Sequence, residues 1–192
     1  MKNKEKGFAL PVALLLLVVM TLMGAALVSI SAGDIRANNE KDYSQQAFYA
    51  AESGITHAKK WMKINSNKLT GSQNNLNNKL NFCKTSFFPN LIGTNGFHAS
   101  GENLDAVITG TAGDEKERLS KFSFEYFIAY SPNQDGNNNS PKKKPNTNKT
   151  YYTIYSCGCD GSKTKCRSQN NKIVALEAVV TLATQWEKLF FL

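Results

Sequence analysis

The pattern of apolar and polar positions divides the chain into three stretches. From Phe8 to Ile30 about 23 residues carry no charge, a length that as a helix spans roughly 34 Å and crosses a bilayer core. From Asp34 to Lys63 the period changes. Tyr43, Ala47, Ala50, Ala51, Ile55, Ala58 and Met62 recur every third or fourth place, as one stripe of an amphipathic helix does. Asp34, Arg36, Glu40, Lys41, Lys59 and Lys60 keep the remaining faces polar, no proline interrupts, and Gly54 is the single glycine. One helix is therefore expected from Phe8 to about Met62, on the order of 80 Å long.

Beyond Ile64 the period falls to two. Phe122, Phe124, Tyr126, Ile128 and Tyr130 alternate along one predicted strand, and Val174, Leu176, Ala178, Val180 and Leu182 along another. Leu104 to Thr111 and Tyr151 to Cys157 read as two more. Strands joined by loops favour an antiparallel sheet, and its apolar face needs a cover. The stripe ending at Met62 supplies one. The predicted fold is α+β, a long N-terminal helix with a transmembrane half and an amphipathic half, the latter packed on a small antiparallel head. The expected organisation is a leader at 1–7, a membrane segment at 8–33, an amphipathic helix at 34–63 and a head at 64–192 with an exposed loop at 131–150.

Charge orients this arrangement. Lys2, Lys4 and Lys6 precede the apolar run, and the first charges after it are Asp34 and Arg36. Lysine excess before a membrane helix keeps that end in the cytoplasm, so the head is expected across the membrane. A cleaved secretory signal would have a shorter apolar core and small residues at a cleavage site. A permanent single-pass anchor satisfies the same length and charge.

Two motifs point further. Lys6-Gly7-Phe8 before an apolar helix resembles the leader of the type IV pilin superfamily. There a prepilin peptidase cuts after the glycine and methylates the new N-terminal residue, which implies processing at Gly7–Phe8. The decapeptide from Gln46 to Ile55 resembles the Gln-Ala-Phe-x-Ala-Ala-Glu-x-Gly motif of PilX-like minor pilins, carried here by Gln46, Ala47, Phe48, Ala50, Ala51, Glu52 and Gly54. Major pilins of that superfamily have a glutamate five residues into the mature chain; here the position is Val12, and no carboxylate occurs between Phe8 and Ala32. A charge in the bilayer core costs a few kcal/mol, so a subunit with no neighbouring amine to neutralise gains nothing from bearing one. The resemblance implies a minor pilin, at or near a filament tip, that helps prime pilus assembly. Its implied partners are other minor pilins, the major pilin, the prepilin peptidase, the inner-membrane assembly platform and a large tip adhesin. It also implies a precursor in the inner membrane with its head in the periplasm, then a place in the pilus at the cell surface. A tip pseudopilin of a type II secretion system shares the missing glutamate and is the alternative within the superfamily.

The loop from Ser131 to Thr150 holds three prolines, an asparagine run and Lys142, Lys143 and Lys144. Such a composition cannot bury apolar surface and reads as exposed and irregular. Net charge is +8, or +6 once the leader with its three lysines and one glutamate is removed. A basic contact loop for an adhesin or DNA-uptake subunit is one reading, although no aromatic residue stands among the lysines to stack bases, and nucleic acid is the less favoured partner.

Cys83, Cys157, Cys159 and Cys166 allow three pairings, among which the sequence does not choose. Locality favours Cys157 or Cys159 with Cys166, leaving the other to tie Cys83 to the sheet. Across the membrane the compartment is oxidising, so disulfides are expected over zinc, and Cys-x-Cys lacks the Cys-x2-Cys spacing of a zinc knuckle. Catalysis has little support. His57 sits on the predicted helix and His98 in a glycine-bearing loop, neither beside a nucleophile. Glu52 reads as an interaction residue of the helix. Asp135-x-Asn137-x-Asn139 fails as a calcium loop, because Ser140 and Asn146 fall where glycine and glutamate are needed. The expectation is a protein without enzymatic activity, metal or cofactor.

Overall fold

The structure is a computed structural model that describes residues 9–93, 95–110, 112–166 and 171–183. Helix α1 (Ala9–Ile64) runs through both the apolar and the amphipathic stretches, as their uninterrupted helical patterning requires. It is long and apolar enough to cross a membrane. The chain divides into two units at Asp42–Tyr43. In the first, apolar side chains such as Leu10, Val12, Leu16, Leu17 and Met20 are exposed, which suits a lipid surround and not a water-facing one. The Gly7–Phe8 join lies outside the described residues.

The second unit is built on an antiparallel sheet. Its strands are β3 (His98–Asn103), β4 (Ser123–Tyr130), β5 (Lys142–Lys143), β6 (Lys149–Cys159) and β7 (Ile173–Ala183). β6 is central. It pairs with β4 on one side, beyond whose end β5 continues the same line, and with β7 on the other, while β3 lies outside β4. A separate two-stranded ribbon joins β1 (Asn74–Asn75) and β2 (Asn95–Gly96). Two short helices, α2 (Leu104–Val107) and α3 (Gly113–Ser120), stand between β3 and β4.

Alternation along the strands sorts the core into two layers. Even-numbered residues of β4, β6 and β7, including Phe124, Tyr126, Ile128, Tyr152, Ile154 and Ala178, form a cluster with Ala50, Ala58 and Met62 of α1. Odd-numbered residues, including Phe127, Ala129, Tyr155, Cys157 and Cys159, form a second cluster with Leu76, Phe82, Cys83, Phe88 and Leu91. The helix covers the first face. The second is covered by a segment whose regular structure is limited to the 3-10 turns Asn77–Lys79 and Thr85–Phe87.

The structure corrects four expectations. The expected strand from Leu104 to Thr111 is absent among its described residues, 104–110: α2 occupies the start, with Asp105 in the first turn and Leu104 and Val107 three apart and turned to the core. The strand lies just upstream as β3, whose sequence His-Ala-Ser-Gly-Glu-Asn has no apolar alternation and is defined by pairing with β4. Tyr43 leaves the buried stripe and is half exposed, being the first residue of its unit. The 131–150 segment is not irregular throughout, since β5 pairs with Tyr151 and Thr150, and Asn138 is buried with its side-chain amide donating to the Asn95 carbonyl at 2.9 Å. His98 opens β3 and does not lie in a loop.

Candidate functional site

The decapeptide of α1 has two chemically distinct faces. Ala47, Ala50, Ala51 and Gly54 are buried against the sheet. Their small size lets the helix backbone meet β6 directly. A Cβ on Gly158 would lie 1.9 Å from the Ala47 carbonyl oxygen, and a Cβ on Gly54 would lie 2.3 Å from Ser156 Oγ. Ser156 Oγ uses this proximity to donate a hydrogen bond to the Ala51 carbonyl at 2.7 Å. The motif's small residues are thus a seat. Its large ones point elsewhere: Phe48 and Tyr49 are substantially exposed, Glu52 is exposed and Gln46 is half-buried. Glu52 therefore stands away from the sheet core, and the residues of the decapeptide divide into an inward packing set and an outward set.

The outward set borders a shallow groove. Tyr49, Glu52, Ser53, Thr56, His57 and Lys60 line it from α1, and Val107 and Ile108 line it from the far side. His57, of the groove lining, also belongs to an aromatic group. His57 Nδ1 is 3.1 Å from the Tyr126 hydroxyl, and Trp61 stacks flat on His98 with ring centroids 4.0 Å apart. Burial, with the positive charges of Lys79 and Lys68, holds His98 down to about 4, so it is neutral at physiological pH. Burial likewise pushes the Tyr126 phenol up to about 12. A neutral imidazole stacked on an indole, and a phenol that stays protonated, are packing groups.

The four cysteines form two disulfides, Cys83–Cys157 and Cys159–Cys166. Cys157 and Cys159 stand two apart on β6, so both sulfurs emerge on the face opposite the helix. One ties down the covering segment; the other closes the turn after β6. That Cys-x-Cys on a strand places both thiols on one face was available from the sequence as a period-two signal.

Glu125 was missed by sequence reasoning. It is buried on β4 and its carboxylate accepts backbone N–H bonds from Asn81, Phe82 and Cys83 at 2.9–3.0 Å. A buried charge is tolerated only when hydrogen-bonded, and here three consecutive amides satisfy it next to the Cys83–Cys157 bridge. The signal was present: Glu125 is the one charged residue in β4.

Lys142 and Lys143 are exposed on β5, and Lys144 begins the turn that leads back to β6, its N–H donating to the Lys149 carbonyl at 2.8 Å. The lysines thus stand on a hairpin with a defined register. In the adjoining segment the Asp135 and Asn137 side chains accept from the N–H groups of Asn137 and Asn139, closing turns on themselves. Among the described residues, no group of three or more His, Cys, Asp or Glu could hold a metal ion. Val12 lies in the first part of α1, in a stretch without carboxylates that ends at Asp34. Compared with known proteins, the chain matches no family model, no curated protein and no solved structure.

Proposed function

We propose that this protein is a PilX-like minor pilin of a type IV pilus, processed at Gly7–Phe8 and incorporated at or near the filament tip to prime assembly. The observation that carries the reading is the two-sided decapeptide. Its small residues are consumed in seating α1 on the sheet, whereas Phe48, Tyr49 and Glu52 remain outside for a neighbouring subunit. The apolar first half of α1 supports the same reading, because its exposed side chains need either lipid or the core of a helical bundle around them.

The mechanism is mechanical. Once the leader is removed, the apolar helix waits in the membrane and then moves into a filament core that replaces lipid around the same residues. Val12, in place of a carboxylate, removes the charge that would pair with a neighbour's terminal amine, so the subunit has no one to follow and is suited to a beginning. N-terminal sequencing of the mature protein is the decisive test: a chain starting at Phe8 supports processing, and an intact Met1 in membrane-embedded protein leaves only a single-pass anchor. Val12→Glu probes position, since unchanged filament number and subunit placement would remove the residue's assigned role.

The exposed lysines of the β5 hairpin favour a second reading, a pilus-displayed adhesin or DNA-uptake subunit. Replacing Lys142, Lys143 and Lys144 by Gln keeps the hairpin. Lost binding of a polyanion with normal piliation supports that reading, whereas lost piliation returns the loop to assembly. A tip pseudopilin of a type II secretion system is the remaining superfamily alternative.

A further inference from the structure

The sheet has three edges that could accept another strand, and the chain treats them differently. At β3 the outer edge is covered at its Gly101–Asn103 end: the turn closed by Cys159–Cys166 reaches it there, Lys163 Nζ donating to the Gly101 carbonyl and Lys163 N–H to Asn103 Oδ1. At β5 the edge is two residues long and both are lysines, a device that discourages pairing. β7 has neither protection. It pairs with β6 in an unbroken one-to-one register over 11 residues, and among the described residues nothing pairs with its other side. Its sequence, Ile-Val-Ala-Leu-Glu-Ala-Val-Val-Thr-Leu-Ala, has no proline, glycine or lysine and a single charge, Glu177.

Hydrogen-bond parity shows which groups are open. Tyr151 accepts through its carbonyl from Ser131 N–H, and Lys149 from Lys144 N–H, so odd residues of β6 turn their backbone groups away from β7. Even residues therefore face β7, and their register partners are Leu182, Val180, Ala178, Leu176 and Val174. By the same alternation Ala175, Glu177, Val179 and Thr181 point N–H and C=O outward. Val179 is 61% exposed, an apolar side chain on this open edge.

We infer that β7 is a strand-addition site that takes an extended segment of a different polypeptide, apolar at alternate positions and with a basic residue facing Glu177. The backbone row provides the affinity and the side chains the choice of partner, as in other edge-strand recognition. Charge disfavours a second copy as the occupant: two β7 strands aligned antiparallel about Glu177 would set the two carboxylates opposite each other, between chains that each carry a net positive charge, +8 or +6 without the leader. The assignment holds whether or not the chain enters a filament.

The test uses the full chain in dodecyl maltoside micelles and two fluorescein-labelled peptides spanning residues 173–183, one with the native sequence and one with Glu177→Lys. Binding is read by anisotropy against empty micelles. The Glu177→Lys peptide is expected to bind at least tenfold more tightly than the native one, and Glu177→Lys in the chain to reverse that order. Val179→Pro removes an outward N–H without touching the β6 ladder and should weaken binding at least tenfold, with near-UV circular dichroism unchanged. If Val179→Pro unfolds the head, the charge reversal decides alone. Equal binding of the two peptides, no binding, or full binding by a folded Val179→Pro chain overturns the proposal. So does a concentration-dependent dimer in sedimentation that Val179→Pro abolishes, which makes the occupant a second copy. Binding only after truncation beyond Ala183 assigns the edge to the chain's own residues 184–192 and overturns it equally.

Discussion

The two faces of the sheet are closed by different means. On one, an amphipathic helix lies across β4 and β6 and buries Ala50, Ala58 and Met62 against Phe124, Tyr126 and Ile154. On the other, Leu76, Phe82, Phe88 and Leu91 are brought over Phe127 and Tyr155 by a segment with little regular structure. A helix satisfies its own backbone and can cover an apolar face by packing alone. An irregular segment cannot, and this one relies on a covalent tie at Cys83 and on a buried carboxylate that collects its N–H groups. Where repetitive structure ends, specific bonds take over its work.

Breaking the tie on the irregular face should have the largest effect. Cys83 and Cys157 are separated by 74 positions, and replacing both by Ala should lower stability by about 4 kcal/mol in urea unfolding of the oxidised protein, on a chain-entropy estimate. The Cys159–Cys166 pair, separated by 7, closes far less chain and should cost about 2 kcal/mol when removed. If the two double mutants lose the same amount, the covering segment does not depend on its staple.

On the helix side the vulnerable point is backbone contact. Gly158→Ala forces a Cβ into the Ala47 carbonyl and should cost about 3 kcal/mol, at the upper end for overpacking, because neither backbone can move aside like a side chain. Hydrogen exchange should show loosened amides in α1 from Ala47 to Gly54 while those of Asn81 to Cys83 keep their protection. Loosening of both would mean that the two faces are not independent.

Glu125→Gln sharpens the comparison further. The three amides at Asn81, Phe82 and Cys83 lose a charged acceptor, and a cost of about 2 kcal/mol is expected, with faster exchange at those three positions. No change at those amides would remove the carboxylate's assigned role.

The helix side also carries a pH dependence. The folded chain holds His98 near 4, against 6.5 for an ordinary imidazole, so between those values the unfolded chain takes up a proton that the folded chain refuses. Stability should fall as pH drops from about 6.5 towards 4 and this contribution should then level off. Comparing unfolding of wild type and His98→Phe across that window isolates it; identical slopes would show that the stacked imidazole does not carry the dependence.

Much of this architecture was legible beforehand, for reasons that can be traced to particular residues. A helix and a strand each impose one period, so the runs at Phe8–Ile30, Ala47–Met62, Phe122–Tyr130 and Val174–Leu182 announced their elements locally. β3 was illegible, because Gly101 and its polar neighbours have no period of their own and are extended only through pairing with β4. Leu104 to Thr111 misled, since a short apolar run suits a strand or a single helical turn equally well. The motif residues Ala47, Ala50, Ala51 and Gly54 were visible as a pattern, but only the approach of Gly158 explains why they must be small.

By itself, then, the sequence determined the length and character of α1, the parity of the strands, the charge asymmetry around the apolar run and the absence of a carboxylate between Phe8 and Ala32. These are properties of residues and their near neighbours. Which cysteine meets which, where Glu125 finds its amides, which face of the decapeptide is buried and which edge of the sheet is left open were decided by tertiary structure. Each depends on residues far apart in the chain arriving at the same place, and no local period encodes that meeting.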